Sequence, residues 1–361
     1  RFLFDWQHLA GDSRLQGEAA LAEVLEQFEG YAAAAGAWEG DLLPARLKDY
    51  SPRWLDQACR AGRFAWARLA PNGKAASNTL RSTPLVLLPR SRLGMWQGLG
   101  EPFALDALSP RAQKVHGVLS QQGALFFDEL RHDAHLLPTE LETALQELVA
   151  AGLVSADSFA GLRALITPAS KRQAHSSRRG RGPLFGGMDD AGRWGLLRRA
   201  TADDDPQAIH EHIARTLLRR YGVVFWRLLE READWLPSWR ELLRTFHRLE
   251  ARGEIRGGRF VSGLAGEQFA LPEAIAMLRS VRRRPLDGSL VIVSGSDPLN
   301  LSGGLLPGAK VPALASNRLL YRDGLPTAAL VAGAVQFWPQ VAEAEHGALR
   351  ERMLRGGQTH F

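Results

Sequence analysis

Cysteine, lysine and long apolar runs are scarce in this sequence, and each shortage closes off a class of function. Cys59 is the one cysteine in 361 residues, so there is no internal disulfide and no cysteine-ligated zinc finger. Such usage fits a reducing compartment, and the expected location is cytoplasmic. No eighteen consecutive apolar residues occur, so no membrane span is expected, and no secretory signal peptide is visible. ATP chemistry is missing too. Gly303 and Gly308 carry P-loop spacing, but Ala309 follows, Lys310 has no Ser or Thr after it, and no DExH-type segment is present. His210 and His212 stand two apart, which cannot aim both at one ion from a helix, and H-E-x-x-H is absent. No metal and no cofactor is expected in this chain.

What is present is arginine. Lysine occurs only at Lys48, Lys74, Lys114, Lys171 and Lys310, yet Lys and Arg together number 45 against 39 Asp and Glu, with a pI near 9.9. Guanidinium forks suit phosphate, although a GC-rich genome gives the same bias. The chain opens at Arg1 inside a helical pattern without an initiator Met, and is expected to be part of something longer.

The arginines are ordered in SWRELLRTFHRLEARGEIRGGRFVSG, Ser238 to Gly263. Arg240, Arg244, Arg248 and Arg252 recur at intervals of four, and Arg256 and Arg259 follow a glycine stop. A step of four advances about 40° around a helix, so the first four lie on one winding stripe. Trp239, Leu242, Leu243, Phe246 and Leu249 occupy the opposite side. A solvated face with local pairs, such as Glu241 with Arg244, is the plain alternative, but one glutamate does not neutralise four arginines. Phosphate binding explains the excess better. Upstream, HEHIARTLLRRYGVVFWRLLERE reads as two helical stretches broken at Gly222, the second starting at Val223. Downstream, EIR and RFVSG read as strands around a Gly257-Gly258 turn. Helix, helix, recognition helix and hairpin make a winged helix, with Arg256 and Arg259 at the wing tip.

The theme recurs. Residues 1–105 form a winged-helix-like domain, with Ser51 and Pro52 opening a helix and PNGKAASN as the wing. Residues 106–170 form a second, whose third helix carries Glu140, Glu142 and Glu147 and no arginine; packing or partner contact suits it, and LVSADSFAGLRALI reads as its wing. Residues 171–193 read as a basic mobile linker, 194–285 as the arginine-rich winged helix, and 286–361 as a β-barrel closed by a helix near Val341–Leu354. The expected fold is α+β: tandem winged-helix (helix-turn-helix) domains followed by a small β-barrel.

LEARGEIRGGRFVSGLAGEQFALPEA (Leu249–Ala274), SGSDPLNLSG (Ser294–Gly303), WQHL (Trp6–Leu9) and LLPARLKDYSPRWLD (Leu42–Asp56) resemble the C-terminal region of bacterial Lhr, the large helicase-related proteins. The resemblance implies tandem winged helices and a β-barrel C-terminal to a superfamily 2 helicase core. It also implies ATP and Mg²⁺ for that core, and DNA, the core and a second copy of the chain as partners. It further implies work in DNA repair and kinship with AlkZ-type winged-helix DNA glycosylases; some Lhr C-terminal regions are credited with uracil-DNA glycosylase activity. The alternative is a non-catalytic oligomerisation or protein-interaction platform for the helicase.

A glycosylase needs room for an extruded base and a group that stabilises positive charge on the sugar or positions water. Asp297 and Asn300, in the turn of SGSDPLNLSG, are the candidates, with an Asx-turn before Pro298 as the plain reading of Asp297. Gln7 is the third, because AlkZ-type enzymes use glutamines near an early helix. Their motif has two glutamines one residue apart, whereas Asp5 stands two before Gln7 here. Trp6 reads as core rather than as a base-stacking platform.

Overall fold

Three of the sheets share one wiring plan: three antiparallel strands, with the last in sequence lying between the first two. The strands are Ala33–Ala34, Phe64–Ala67 and Pro84–Pro89 in the first, and Leu125–Phe126, Val154–Ala156 and Arg193–Leu196 in the second. The third sheet has Val223–Phe225, Arg256–Gly258 and Gln268–Ala270. In each, a helix precedes the first strand and a recognition-position helix precedes the second, which is winged-helix connectivity. A computed structural model describes residues 1–69, 79–167, 187–198, 205–306 and 308–355 of the chain. PNGKAASN and most of the 171–193 segment lie outside these residues. Contacts divide the chain into two units: Arg1–Phe28, Ala37–Asp49 and Asp204–Phe361 form one, and Glu29–Gly36 with Tyr50–Asp203 the other.

In the first unit, Asp205 caps the helix Pro206–Tyr221 by accepting from the Gln207 N–H at 3.0 Å, and Gly222, at φ 69°, ends it. Two details differ from the sequence reading. Val223 starts no helix: Val223–Phe225 is a fully buried strand paired with Gln268–Ala270, because a β-branched pair and an aromatic fit a pleated surface better. A short 3₁₀ helix, Trp226–Arg231, follows it. Gly257-Gly258 is not the turn either. Both glycines lie in the strand Arg256–Gly258, opposite Phe269 and Gln268, and the wing is the longer loop 259–267. The Gln268 side chain holds that loop, accepting from the Phe260 and Val261 N–H groups at 2.8 Å each.

The C-terminal strands Leu290–Ser294, Arg318–Arg322, Leu325–Val331 and Ala334–Phe337 form a four-stranded antiparallel meander. The expected barrel is not seen: no pairing between its two outer strands closes it among the described residues. Period-2 alternation sends Leu319, Tyr321 and Ala329 to one face, against Phe4 and Leu9. Leu320, Ala328 and Leu330 go to the other, against Leu349 and Met353 of the helix Glu343–Arg355. With helices on both faces, the sheet buries its apolar side chains without closing.

Two-residue turns with positive φ at both positions join its last three strands: Asp323-Gly324 (49° and 82°) and Ala332-Gly333 (50° and 83°). Asp tolerates the left-handed region, whereas alanine has no side chain to compensate there. Ala332 is exposed. Ala332→Asn is therefore expected to raise unfolding free energy by about 0.5–1 kcal/mol. An unchanged or lower urea midpoint would show that Ala332 is not strained.

In the second unit, Trp66 and Trp194 meet edge-on, with ring centroids 6.3 Å apart, and the Trp66 indole donates to the Ser158 carbonyl at 3.0 Å. A Cβ on Gly161 would come within 3.0 Å of Trp194, so only glycine fits there. Phe159–Ile166, expected within a wing, is a helix, and its Arg163 forms a buried ion pair with Asp56 at 3.1 Å. The strand Arg193–Leu196 completes the second sheet, which thus draws on residues either side of the basic segment. Ser51 occupies the N-cap of Pro52–Arg60 without a side-chain capping bond.

Candidate functional site

The recognition-position helix of the third sheet spans Trp239–Ala251. Glu241, the acidic residue nearest to Arg244 in sequence, forms no ion pair with it and caps the helix instead: it accepts from the Ser238 hydroxyl at 2.7 Å and the Ser238 N–H at 2.8 Å. Those bonds, the hydroxyl first, hold its pKa below the usual carboxylate range. Leu242, Phe246 and Leu249 are buried, and Phe246 stacks on Phe269 with centroids 5.1 Å apart. That fixes which face is left to solvent.

The six arginines then separate by environment. Arg240, Arg244, Arg256 and Arg259 are exposed and have no carboxylate partner among the described residues. Arg248 is half-buried and donates to the Thr245 hydroxyl at 3.1 Å. Arg252 is tied down by Glu211 at 2.8 Å and Glu254 at 3.0 Å, with Arg215 completing the cluster. The hydrogen bond from Arg252 keeps the Glu211 pKa low, so the cluster's stabilisation holds above the ordinary carboxylate pKa and fades as pH falls through the depressed one. The stripe is thus part cation display and part internal brace.

The equivalent helix of the second sheet, Pro138–Ala150, presents no such face. Glu147 accepts from the Ser109 N–H at 2.7 Å and its hydroxyl at 2.6 Å, and Glu140 pairs with Arg111 at 2.8 Å. Its glutamates brace the start of the helix Pro110–Gln122.

The three chemical candidates lie in the first unit, and Gln7 and Asp297 meet through a residue the sequence reading did not single out. Arg46, fully buried, donates to both oxygens of Asp297 at 2.8 and 3.0 Å and to the Gln7 amide oxygen at 2.9 Å. Its guanidinium lies over the Phe28 ring, 4.4 Å from the centroid. The Gln7 amide nitrogen donates to the Arg220 carbonyl at 2.8 Å, and Arg220 in turn pairs with buried Glu232. Asp297 also accepts from the Leu299 N–H at 2.9 Å, which is the Asx-turn geometry. Asn300 touches this chain of contacts only through its backbone N–H, which donates to the Asp297 carbonyl at 3.0 Å; its side chain donates to the Gly295 and Val311 carbonyls at 2.9 Å each while its oxygen is buried without a partner. Gln7, Asp297 and Asn300 are each no more than 1% exposed. Trp6 is structural here, its indole donating to the Arg219 carbonyl at 2.9 Å. The signal for Arg46 was present in the sequence: an arginine inside LLPARL, among leucines, has to be paired if it is buried.

The same unit holds a cavity of about 420 Å³, lined by residues near Gln7, Arg46 and Asp297 in sequence but by none of the three themselves. Asp5 and Asp41 stand on its wall with Phe4, Ser294 and Arg318. Asp5 is held by Arg284 at 2.7 Å, and Asp41 accepts from the Ser294 hydroxyl at 3.3 Å. Charged and apolar surface together suit a small polar ring better than a hydrocarbon. Among the described residues, no group of three His, Cys, Asp or Glu side chains is placed to hold a metal, and no helix is long and apolar enough to cross a membrane.

Comparison with known proteins agrees with this architecture. Models described as large helicase-related protein, winged-helix domain, match residues 1–90 and 203–290. Residues 1–90 and 203–290 thus resemble winged-helix domains of the large helicase-related type, consistent with a C-terminal region of such a protein. The chain is 28% identical over 340 residues to the Lhr helicase/uracil glycosylase of Escherichia coli strain K12, an alignment covering 82% of the chain and 20% of that protein. It is 29% identical over 355 residues to the Lhr helicase/probable uracil glycosylase of Mycolicibacterium smegmatis, covering 87% of the chain and 22% of that protein. The chain therefore spans about a fifth of the length of these Lhr relatives.

Proposed function

We propose that this Lhr-type region holds DNA for a helicase core that acts in DNA repair, with its grip centred on the winged helix of residues 205–283. The observation that carries this reading is the exposed, unpaired set Arg240, Arg244, Arg256 and Arg259, which spans a recognition helix and its wing. Internal pairing accounts for Arg252 but leaves these four without a structural use. Exposed guanidinium groups on a recognition helix and its wing suit contact with the phosphates that flank a duplex groove. ATP and Mg²⁺ belong to the helicase core in this reading, and the core is the first protein partner.

Uracil excision is a second reading, favoured by a cavity in the same unit whose lining includes Asp5, Ala45 and Ser294, and by what the two relatives are called. Here Asp297 supplies the negative charge, with Asn300 and Gln7 as its amide helpers. Since both Asp297 oxygens are engaged by Arg46, this chemistry requires the ion pair to exchange during the reaction. The test needs no motor: the chain is incubated with uracil-containing single-stranded DNA in the absence of ATP, and abasic sites are scored by alkaline cleavage. Abasic sites above the no-protein control are expected. Their absence at equimolar protein would leave a region that binds DNA and assembles the helicase without excising bases.

A further inference from the structure

Trp226 is among the largest exposed apolar side chains of the described residues, with 47% of its surface open to solvent. Its position follows from strand register. Phe225 pairs with Gln268, the first residue after the wing loop, so the next residue in the chain emerges beside the end of the wing. Gly266, at φ 89°, passes close to the indole; a Cβ there would sit 3.4 Å from Trp226 Cδ1. Arg227 follows it, exposed and without a carboxylate partner among the described residues. Arg227, though not Trp226 itself, also lines a mostly apolar groove of about 490 Å³ whose lining includes Phe225 and the wing residues Val261 and Leu264. An indole face, a free guanidinium and apolar room beside the guanidinium, all near the end of the wing, are the elements of a single-strand stacking site.

We infer that Trp226 and Arg227 form a binding site for an unstacked nucleobase of the DNA strand that runs past the wing. The indole stacks on the base, Arg227 holds the neighbouring phosphate, and the groove provides room for the sugar and the base edge. Glu230, on the same 3₁₀ helix, is exposed, and two other acidic groups nearby are already engaged. Glu267 is engaged by His247 at 3.0 Å, and Glu232 is buried in its pair with Arg220. An apolar peptide segment is the rival occupant, but the exposed arginines of the same winged helix favour a polyanion. The inference rests on the DNA-binding reading above.

The experiment compares the wild-type chain, Trp226→Ala and Trp226→Phe on a single strand and on a duplex, each carrying 2-aminopurine. The reporter sits in the DNA because the chain has 10 tryptophans, whose own fluorescence is not specific to one site. Trp226→Ala should weaken single-strand binding about tenfold and abolish the change in 2-aminopurine fluorescence, whereas Trp226→Phe should keep both within about threefold. Duplex affinity should stay at the wild-type value in both variants. Equal single-strand affinity and an equal fluorescence response in Trp226→Ala would overturn the stacking site while leaving the DNA-binding reading intact. A wild-type chain that binds neither strand form would overturn both, and loss of duplex and single-strand binding together in Trp226→Phe would show that Trp226 supports the fold.

Discussion

Asp297→Asn is expected to cost about 3–5 kcal/mol of stability, because it leaves the Arg46 charge buried opposite a neutral partner. Arg46 donates two hydrogen bonds to the carboxylate, at 2.8 and 3.0 Å, with neither residue more than 1% exposed, so water cannot take the carboxylate's place. A loss of that size is a large share of the 5–15 kcal/mol typical of a domain. If Asp297 only formed the turn, the loss would be near 1 kcal/mol. Replacing Arg46 by methionine at the same time should recover much of the loss, since the orphaned charge is then gone. Urea unfolding of the two single variants and the double variant measures this coupling. Strictly additive losses would show that the ion pair contributes little. Excision is to be compared only where Asp297→Asn is still folded: lost excision with retained DNA affinity supports the catalytic role, and full excision assigns Asp297 to structure.

Much of the architecture was legible in the sequence because it rests on local patterns. The stripe of Leu242, Phe246 and Leu249 fixed the recognition helix and its buried face, and Gly222 and Gly253 marked helix ends. What was not legible depended on strand pairing across sequence. Val223–Phe225 is too short to show a period, and only its partner at Gln268–Ala270 makes it a strand. Gly257-Gly258 looks like a hairpin turn until Phe269 and Gln268 are set opposite it. The same holds for the polar network. Gln7 and Asp297 were chosen for their chemistry, but nothing within either segment shows that Arg46 joins them. Nor does spacing by four reveal that Arg252 is neutralised by Glu211 and Glu254 while Arg244 is not. Periodicity finds a face; tertiary neighbours decide which of its charges are available.

That division makes the DNA-binding reading sharper than the arginine ladder alone. Replacing Arg240, Arg244 and Arg256 by alanine should weaken duplex binding by about two to three orders of magnitude near 0.1 M salt, at roughly tenfold per lost phosphate contact. The three side chains are exposed and unpaired, so the variant should melt at the wild-type temperature. Arg252→Ala is the contrasting control: it should lower stability by loosening the Glu211–Glu254 cluster and leave the salt dependence of binding nearly unchanged. The measurement that decides is the slope of log Kobs against log salt concentration for one duplex, determined for the wild-type chain and for the Arg240, Arg244 and Arg256 triple variant. The winged-helix account predicts a slope smaller in magnitude by about 2–3 in the variant. An identical slope in the two proteins would contradict it, placing the DNA contact elsewhere on the chain.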